Sequence, residues 1–144
     1  SDGGQICLAY KGAFIEPNES SPVVFLAPGL TTSKDSPWVG NFVSSLTNVG
    51  FSVVVIGYRA TGTDASANKL MLKTPTMYTA GSYEDFCEPA RHVYRIFCKR
   101  SKRRVFGLGI SMGGIILTGA IPSLSFMEAA VTVCTPVDCV NTEK

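Results

Sequence analysis

RVFGLGISMGGIILTGA, at residues 104–120, is the stretch that decides the fold. Arg104 to Leu108 has the apolar run of a buried strand, and the part from Ile115 onwards continues as a helix that Pro122 stops. Between them lies Gly109-Ile110-Ser111-Met112-Gly113. A strand, a G-x-S-x-G turn and a helix in this order predict a nucleophile elbow, which lifts the serine hydroxyl clear of the sheet. Glycine is needed at both ends of the turn because a side chain there would collide with neighbouring backbone.

Strands and helices alternate along the whole chain. Apolar runs predict further strands at residues 5–10, 22–27, 51–56 and 128–135. Apolar residues at helical spacing follow Ser36. We therefore predict an α/β fold, in which a mostly parallel sheet carries helices on both faces. The length of 144 residues predicts one domain, residues 1–144.

The second helix has two candidate starts. Ser82 with Asp85 forms one capping-box pattern, and Asp85 with Glu88 forms another. Pro89 favours the later start, because a proline deeper in a helix removes a hydrogen bond. Under that prediction the Asp85 carboxylate caps the helix.

Three segments are expected to meet at one edge of the sheet. Gly29-Leu30, Tyr58-Arg59 and Ser111 each follow a predicted strand. The carboxyl ends of parallel strands share an edge, and ligands bind there. Arg59 is predicted to pair with a carboxylate and so to hold its loop in place.

Composition excludes some function classes. The net charge of +2 is too small to indicate a nucleic-acid partner. Hydrophobic residues make up 45% of the chain and charged residues 17%, as expected of strands buried on both faces, or of a piece of a larger domain. The basic cluster at residues 99–104 is predicted to be a solvated loop, with attraction to an anionic membrane surface as the alternative.

Five cysteines are scattered along the chain without a C-x-x-C pair: Cys7, Cys87, Cys98, Cys134 and Cys139. Their odd number and irregular spacing predict buried free thiols and a reducing, intracellular compartment. The sequence shows neither a signal peptide nor an apolar run long enough to span a bilayer. Membrane association in a longer form stays open.

An acyl-transfer serine also needs donors for the oxyanion. One donor is expected to be the backbone N–H of Met112, and the other to come from the loop at residues 29–31. Two alternatives remain at this point. Ser111 could be a structural serine in a tight turn, and Pro28-Gly29 could be a simple turn. No cofactor or metal is expected.

The general base is missing from the sequence pattern. A serine nucleophile needs a histidine base, and chains with this type of elbow place that histidine after the serine, yet His92 is the sole histidine and precedes Ser111. We predict that His92 is a structural or surface residue. Asp138 follows the last predicted strand and is either an early triad acid or a loop residue that caps local backbone.

Several stretches, in their order and spacing, resemble one branch of the alpha/beta-hydrolase superfamily. That branch contains bacterial YheT-type esterases, plant embryogenesis-associated hydrolases and animal membrane-anchored phospholipases. The resemblance covers Asp2 to about Asp138 and rests on these stretches: Asp2-Gly3-Gly4, Pro28-Gly29-Leu30-Thr31, Gly50-Phe51-Ser52-Val53-Val54-Val55, Tyr58-Arg59, Thr74-Pro75 with Tyr78, Glu84-Asp85-Phe86, His92-Val93 and Gly109 to Gly114.

The resemblance implies hydrolysis of esters, acyl chains on lipids among them, by a Ser-Asp-His triad. Ser111 would be the nucleophile, and Met112 and Leu30 would supply the oxyanion N–H groups. The family's acid and histidine lie beyond the matched region. Pro28 departs from the bacterial relatives, which carry histidine there. The chain corresponds to the amino-terminal part of the fold, about the first six strands, so its single hydrolase domain is expected to be truncated.

Two function classes follow. The first is a serine ester hydrolase, of carboxylesterase or lipase/phospholipase type, whose carboxyl-terminal half is missing or is supplied by a partner chain. The second is a non-catalytic hydrolase-like module for binding or scaffolding. The partners expected are an ester or lipid substrate, the completing half and, in a longer form, a membrane surface.

Overall fold

Strands and helices alternate in the predicted order. The structure, a computed structural model, describes residues 2–14, 20–64 and 68–136, so the predictions for Asp138 and Cys139 fall outside the described residues. The elements are β1 Leu8–Lys11, β2 Val23–Ala27, α1 Pro37–Asn48, β3 Ser52–Ile56, α2 Tyr83–Val93, a π-helical turn Tyr94–Cys98, β4 Val105–Ile110, α3 Met112–Ala120, a 3-10 turn Ile121–Ser123 and β5 Ala129–Val133.

The five strands form one sheet in the order β1-β3-β2-β4-β5. β1 runs antiparallel to β3, and the other neighbours are parallel. Phe25 lies at the centre, in register with Val54 on one side and Gly107 on the other. The predicted α/β class is confirmed. The described residues contain five strands, whereas the resemblance implied about six.

Helices lie on both faces of the sheet. On one face, α2 and α3 pack against a core that includes Phe25, Phe86 and Ile116. On the other face, α1 packs through Val39 against Leu26. β2 and β3 are buried along their whole length, since each has neighbouring strands at its sides and helices above and below.

Beyond β2, no helix of the described residues covers the α1 face of the sheet. β4 alternates between buried and half-buried residues, and β5 is an edge strand whose Val131 is 60% exposed. The open surface is an apolar groove of about 310 Å³. It is lined by Val24, Leu46, Phe51, Phe106, Gly107, Leu108, Ala129 and Val131.

The second helix begins earlier than Pro89 led us to expect. α2 starts at Tyr83 with Ser82 as the N-cap, so Pro89 lies inside it. The predicted capping box is absent, because Ser82 has a ψ of 44°, outside the extended region that capping uses. The Ser82 hydroxyl instead accepts the N–H of Thr79 at 2.8 Å.

The basic cluster is only partly a solvated loop. Lys99, Arg100 and Lys102 are exposed, but Arg103 is buried. The Arg103 guanidinium donates hydrogen bonds to the carbonyl oxygens of Ser21 and Ala13, at 2.6 and 2.9 Å. Since the cluster precedes β4, it lies at the opposite end of the sheet from Ser111.

The four cysteines that the structure describes are free but not uniformly buried. Cys87 and Cys98 are buried, Cys7 is half-buried and Cys134 is exposed, which corrects the expectation for Cys134. Cys134 lies just past the end of the edge strand β5. Burial raises the pKa of Cys87 and of Cys98 to about 11, so both thiols are protonated at neutral pH. In the part of the chain that the structure describes, no helix is long and apolar enough to cross a membrane.

Candidate active site

Ser111 lies in a strained turn. β4 runs two residues further than the sequence indicated, to Ile110, and α3 begins at Met112. The single residue between them, Ser111, has a φ of 54° and a ψ of −122°. A residue other than glycine rarely adopts a positive φ, which costs about 1–3 kcal/mol. This is the backbone geometry that a nucleophile elbow requires.

The glycines at both ends of the turn allow close backbone contacts. A Cβ atom on Gly109 would lie 2.6 Å from the Gly114 Cα atom. A Cβ atom on Gly113 would lie 2.6 Å from the carbonyl carbon of Ala27 and closer still to the carbonyl oxygens of Ala27 and Pro28. Because these neighbours are backbone atoms, neither position could take a side chain without a shift of the sheet or of the loop after β2.

The Ser111 hydroxyl is accessible. Ser111 is half-buried, and its hydroxyl has no hydrogen-bond partner within the described ranges. No side-chain nitrogen or oxygen atom there is both buried and unpaired, so the hydroxyl reaches the molecular surface. No histidine or carboxylate of the described residues contacts it, which leaves the serine without a base there. His92 is exposed on α2, as expected of a surface residue.

Backbone N–H groups are available beside Ser111. Gly29 lies against it, since a Cβ atom built on Gly29 would be 3.5 Å from the Ser111 Cβ atom. Among the residues described, neither Leu30 nor Met112 donates its backbone N–H to a partner. Met112 is the first residue of α3, where the N–H groups of a helix are unpaired and attract negative charge. Leu30 directly follows Gly29, which lies against Ser111, and Met112 directly follows Ser111.

Strained residues gather at this edge of the sheet. Each parallel strand is followed within four residues by a non-glycine residue with positive φ: Thr31 after β2, Ala60 after β3, Ser111 after β4 and Cys134 after β5. Lys102 is the one such residue elsewhere in the described ranges. Backbone strain of this kind concentrates at functional sites, which supports this edge as the reactive one.

Arg59 holds the loop after β3, as predicted. Its guanidinium makes a two-pronged contact with the Asp85 carboxylate, at 2.6 and 2.7 Å, and binds Asp2 at 2.6 Å. The hydrogen bonds to Asp85, and then those to Asp2, raise the pKa of Arg59 above its ordinary value. The prediction that Asp85 caps α2 is wrong, because its carboxylate is engaged by Arg59.

A cleft of about 470 Å³ borders the loop that follows β2. Thr31 and Tyr78 form part of its wall, together with Arg59 and the apolar side chains of Leu70 and Met77. Ser111 is not among its lining residues. Within the described residues, no group of histidine, cysteine, aspartate and glutamate side chains could hold a metal ion.

Sequence reasoning missed two contacts at the site. The Tyr58 hydroxyl donates a hydrogen bond to the Pro28 carbonyl oxygen at 2.5 Å, and the Tyr78 hydroxyl accepts one from the Thr31 N–H at 3.3 Å. The sequence indicates Tyr58 by its place after a predicted strand and by the resemblance, and Tyr78 by the resemblance alone. A tyrosine in a polar loop is a weak signal for a buried contact, since its partner lies 30 residues or more away in the chain.

The amino-acid sequence is similar to that of a plant protein. The chain is 28% identical over 124 residues to the embryogenesis-associated protein EMB8 of Picea glauca, a match that covers 84% of this chain and 25% of that protein. No protein-family model matches the chain. The similarity agrees with the plant branch named from the sequence.

Solved structures show the fold. A cold-adapted esterase from an Arctic intertidal metagenomic library has a TM-score of 0.66 at 18% identity, over 91% of this chain and 56% of that one. A serine hydrolase without a lid from Xanthomonas campestris has a TM-score of 0.65 at 19% identity, over 96% of this chain and 60% of that one. The thioesterase domain from the curacin biosynthetic pathway has a TM-score of 0.69 at 19% identity, over 97% of this chain and 46% of that one. The chain therefore has the amino-terminal part of the alpha/beta-hydrolase fold and spans about half the length of these structures.

Proposed function

We propose that this chain carries the nucleophile half of a serine ester hydrolase. The observation that carries the proposal is Ser111 at a φ of 54° between β4 and α3, with an accessible hydroxyl beside Gly29. The esterase and thioesterase neighbours, which share only the fold, agree with it.

The chemistry follows the acyl-enzyme pattern. The Ser111 oxygen attacks the ester carbonyl carbon while a base takes the hydroxyl proton, and the carbonyl oxygen gains negative charge. The N–H groups of Met112 and Leu30 stabilise that oxyanion. The alcohol leaves with a proton, and water then hydrolyses the acyl-serine to release the acid. We assign the base to the half of the fold that this chain does not contain.

We further propose that the completing half covers the apolar groove on the α1 face. The groove contains the half-buried Phe106 and Leu108 and the exposed Val131, and it lies beside the edge strand β5, whose open backbone groups can pair with another segment. The completing half is the rest of a longer protein or a second chain. Asp138 keeps both its candidate roles, as an early triad acid and as a loop residue.

An apolar acyl group suits the site. Leu30 is 59% exposed next to the serine turn, and Met77 is 62% exposed on the wall of the neighbouring cleft. Exposed apolar side chains at the substrate edge favour a fatty acyl ester, of the carboxylesterase or lipase/phospholipase type, over a charged or sugar ester.

The test uses the protein that carries this chain together with its completing half. A fluorophosphonate probe is expected to label the wild type and Ser45→Ala, whose serine lies exposed on α1, but not Ser111→Ala. Labelling of Ser111→Ala at the wild-type rate would overturn the assignment. The 144-residue chain alone is expected not to hydrolyse a p-nitrophenyl ester, because a serine without a base is a poor nucleophile.

The competing candidate is a non-catalytic hydrolase-like module. The open groove and edge strand favour it too, since they call for a binding partner. It predicts a stable complex and no labelling of any form of the protein, so the same experiment separates the two functions.

A further inference from the structure

We propose that Tyr58 and Tyr78 are positioning residues that hold the oxyanion loop, defined as residues 28–31, in its working conformation. The inference rests on the proposed function and deepens it. Neither tyrosine is given any contact with substrate. They act through the backbone of the loop that supplies the Leu30 N–H.

The two hydroxyls grip the loop on either side of Leu30. Tyr58 donates to the Pro28 carbonyl oxygen at 2.5 Å, two residues before Leu30. Tyr78 accepts the N–H of Thr31 at 3.3 Å, one residue after it. The Leu30 N–H between them donates to no partner within residues 2–14, 20–64 and 68–136. The grip therefore engages the neighbours of Leu30 and leaves the proposed donor available.

The loop needs such support because its backbone is strained. Thr31 has a φ of 58°, and a β-branched residue is especially unfavourable at positive φ. Thr32 contributes a local contact, since its hydroxyl donates to the Gly29 carbonyl oxygen at 2.6 Å. That bond tightens the turn but does not tie it to the rest of the protein, which the tyrosines do. A strained conformation persists only where its surroundings over-determine it.

The tyrosine pair is a rigid support. The two rings stack with centroids 4.9 Å apart and planes at 22°. Tyr58 is 2% exposed and Tyr78 is 9% exposed, so both rings are packed against neighbouring groups over almost all of their surface. Burial raises the pKa of Tyr58 well above its ordinary value of 10, and the phenol therefore stays protonated as a donor.

Arg59 ties both tyrosine-bearing segments to the body of the fold. It follows Tyr58 directly and grips Asp85 on α2. Its guanidinium also donates to the Thr74 hydroxyl at 3.3 Å, four residues before Tyr78. The residues that carried the resemblance in separate stretches of sequence thus converge on one support for the oxyanion loop.

The expected consequence is specific to the transition state. An oxyanion donor binds charge that develops only as the ester is attacked, so a misplaced donor lowers kcat and leaves KM nearly unchanged. Displacement of a catalytic group by about 1 Å can cost as much as 100-fold in rate. A merely structural role would lower stability without this division between kcat and KM.

The test compares Tyr58→Phe and Tyr78→Phe, which keep the stacked rings and remove only the hydroxyls. Tyr94→Phe is the matched control, because Tyr94 stacks on Phe126 and its hydroxyl has no hydrogen bond within the described residues. In the 144-residue chain, backbone amide exchange at Thr31, whose N–H is bonded to Tyr78, is expected to rise about tenfold in both variants and to stay unchanged in the control. In the completed protein, kcat is expected to fall about 10-fold to 100-fold with KM changed less than about twofold.

The outcomes separate the two proposals. If the wild type is labelled at Ser111 and hydrolyses ester, but both tyrosine variants match Tyr94→Phe in exchange or in kcat, the inference is overturned and the proposed function stands. If the wild type neither labels nor hydrolyses, the proposed function fails and the catalytic role of the pair fails with it. Faster loop exchange together with lower kcat at constant KM supports both.

Discussion

The backbone N–H of Ser111 donates a hydrogen bond of 2.8 Å to the carbonyl oxygen of Val133. This bond extends the parallel ladder between β4 and β5 by one residue beyond the pair of Ile110 and Val133. Ser111 is thereby held at positive φ by the edge strand as well as by its glycine neighbours. The turn at Ser111 depends on β5, and we expect substitutions that loosen β5 to change its conformation.

Strain at Ser111 predicts a gain in stability when the side chain is removed. Ser111→Gly is expected to raise the free energy of unfolding by about 1 kcal/mol relative to Ser111→Ala, because glycine tolerates positive φ whereas alanine keeps the Cβ clash. Urea unfolding of the two variants measures the difference. Equal stabilities would show that the turn at Ser111 is relaxed.

Gly113→Ala is expected to be strongly destabilising. The new Cβ atom would collide with the Ala27 and Pro28 backbone, and we expect a loss of about 2 kcal/mol or more of unfolding free energy. Gly40→Ala is the matched control, since a Cβ atom on Gly40 meets nothing within 4 Å and alanine favours the interior of α1. That control is expected to gain about 0.5–1 kcal/mol. A similar loss in both would mean that backbone contact at Gly113 is not the cause.

Arg59 is expected to matter through its geometry and not only its charge. Arg59→Lys keeps the charge but cannot make the two-pronged contact with Asp85, so its melting temperature should fall towards that of Arg59→Ala. Arg104→Ala, which breaks an exposed pair with Glu128, should change the melting temperature little. Full retention of wild-type stability by Arg59→Lys would contradict the role assigned to the contact.

The thiols are expected to react in order of exposure. At pH 7.5 iodoacetamide should modify Cys134 first, because Cys134 is exposed whereas Cys87 and Cys98 are buried with a pKa of about 11. Peptide mass spectrometry of the folded chain over time gives the order. Early modification of Cys87 or Cys98 would indicate that the core opens far more readily than its packing implies.

Alkaline pH is expected to destabilise the fold through Tyr58. The pKa of this phenol is higher in the folded state than its ordinary value of 10, so its contribution is complete below pH 10. Above pH 10 the unfolded chain loses the proton while the folded chain keeps it, and stability falls by at most about 1.4 kcal/mol per pH unit for this group. Urea unfolding at pH 9, 10 and 11 should give a shallower decline for Tyr58→Phe than for Tyr94→Phe. An equal decline of the unfolding free energy with pH in the two variants would contradict the role assigned to the Tyr58 phenol.

Much of the fold could be predicted because patterns of apolar residues over short stretches of sequence determine its strands and helices. The apolar runs at residues 22–27 and 51–56 predicted β2 and β3, and the helical spacing of apolar residues after Ser36 predicted α1. The serine turn was predictable for the same reason, since Gly109 and Gly113 stand where a side chain would collide with neighbouring backbone, and both lie within two residues of Ser111. Parallel strands then bring Ser111, Gly29 and Arg59 to one edge without further information.

Contacts between distant residues were decided only in three dimensions. Asp85 has a capping pattern in the sequence, yet it pairs with Arg59, because a partly buried two-pronged ion pair with charge-assisted hydrogen bonds is stronger than a single exposed cap. Tyr58 and Tyr78 reach Pro28 and Thr31 only after the loops that bear them have folded over the sheet. Local sterics and periodicity set the strand, the turn and the helix, whereas the choice among remote polar partners depends on which groups the packed sheet brings within hydrogen-bonding distance.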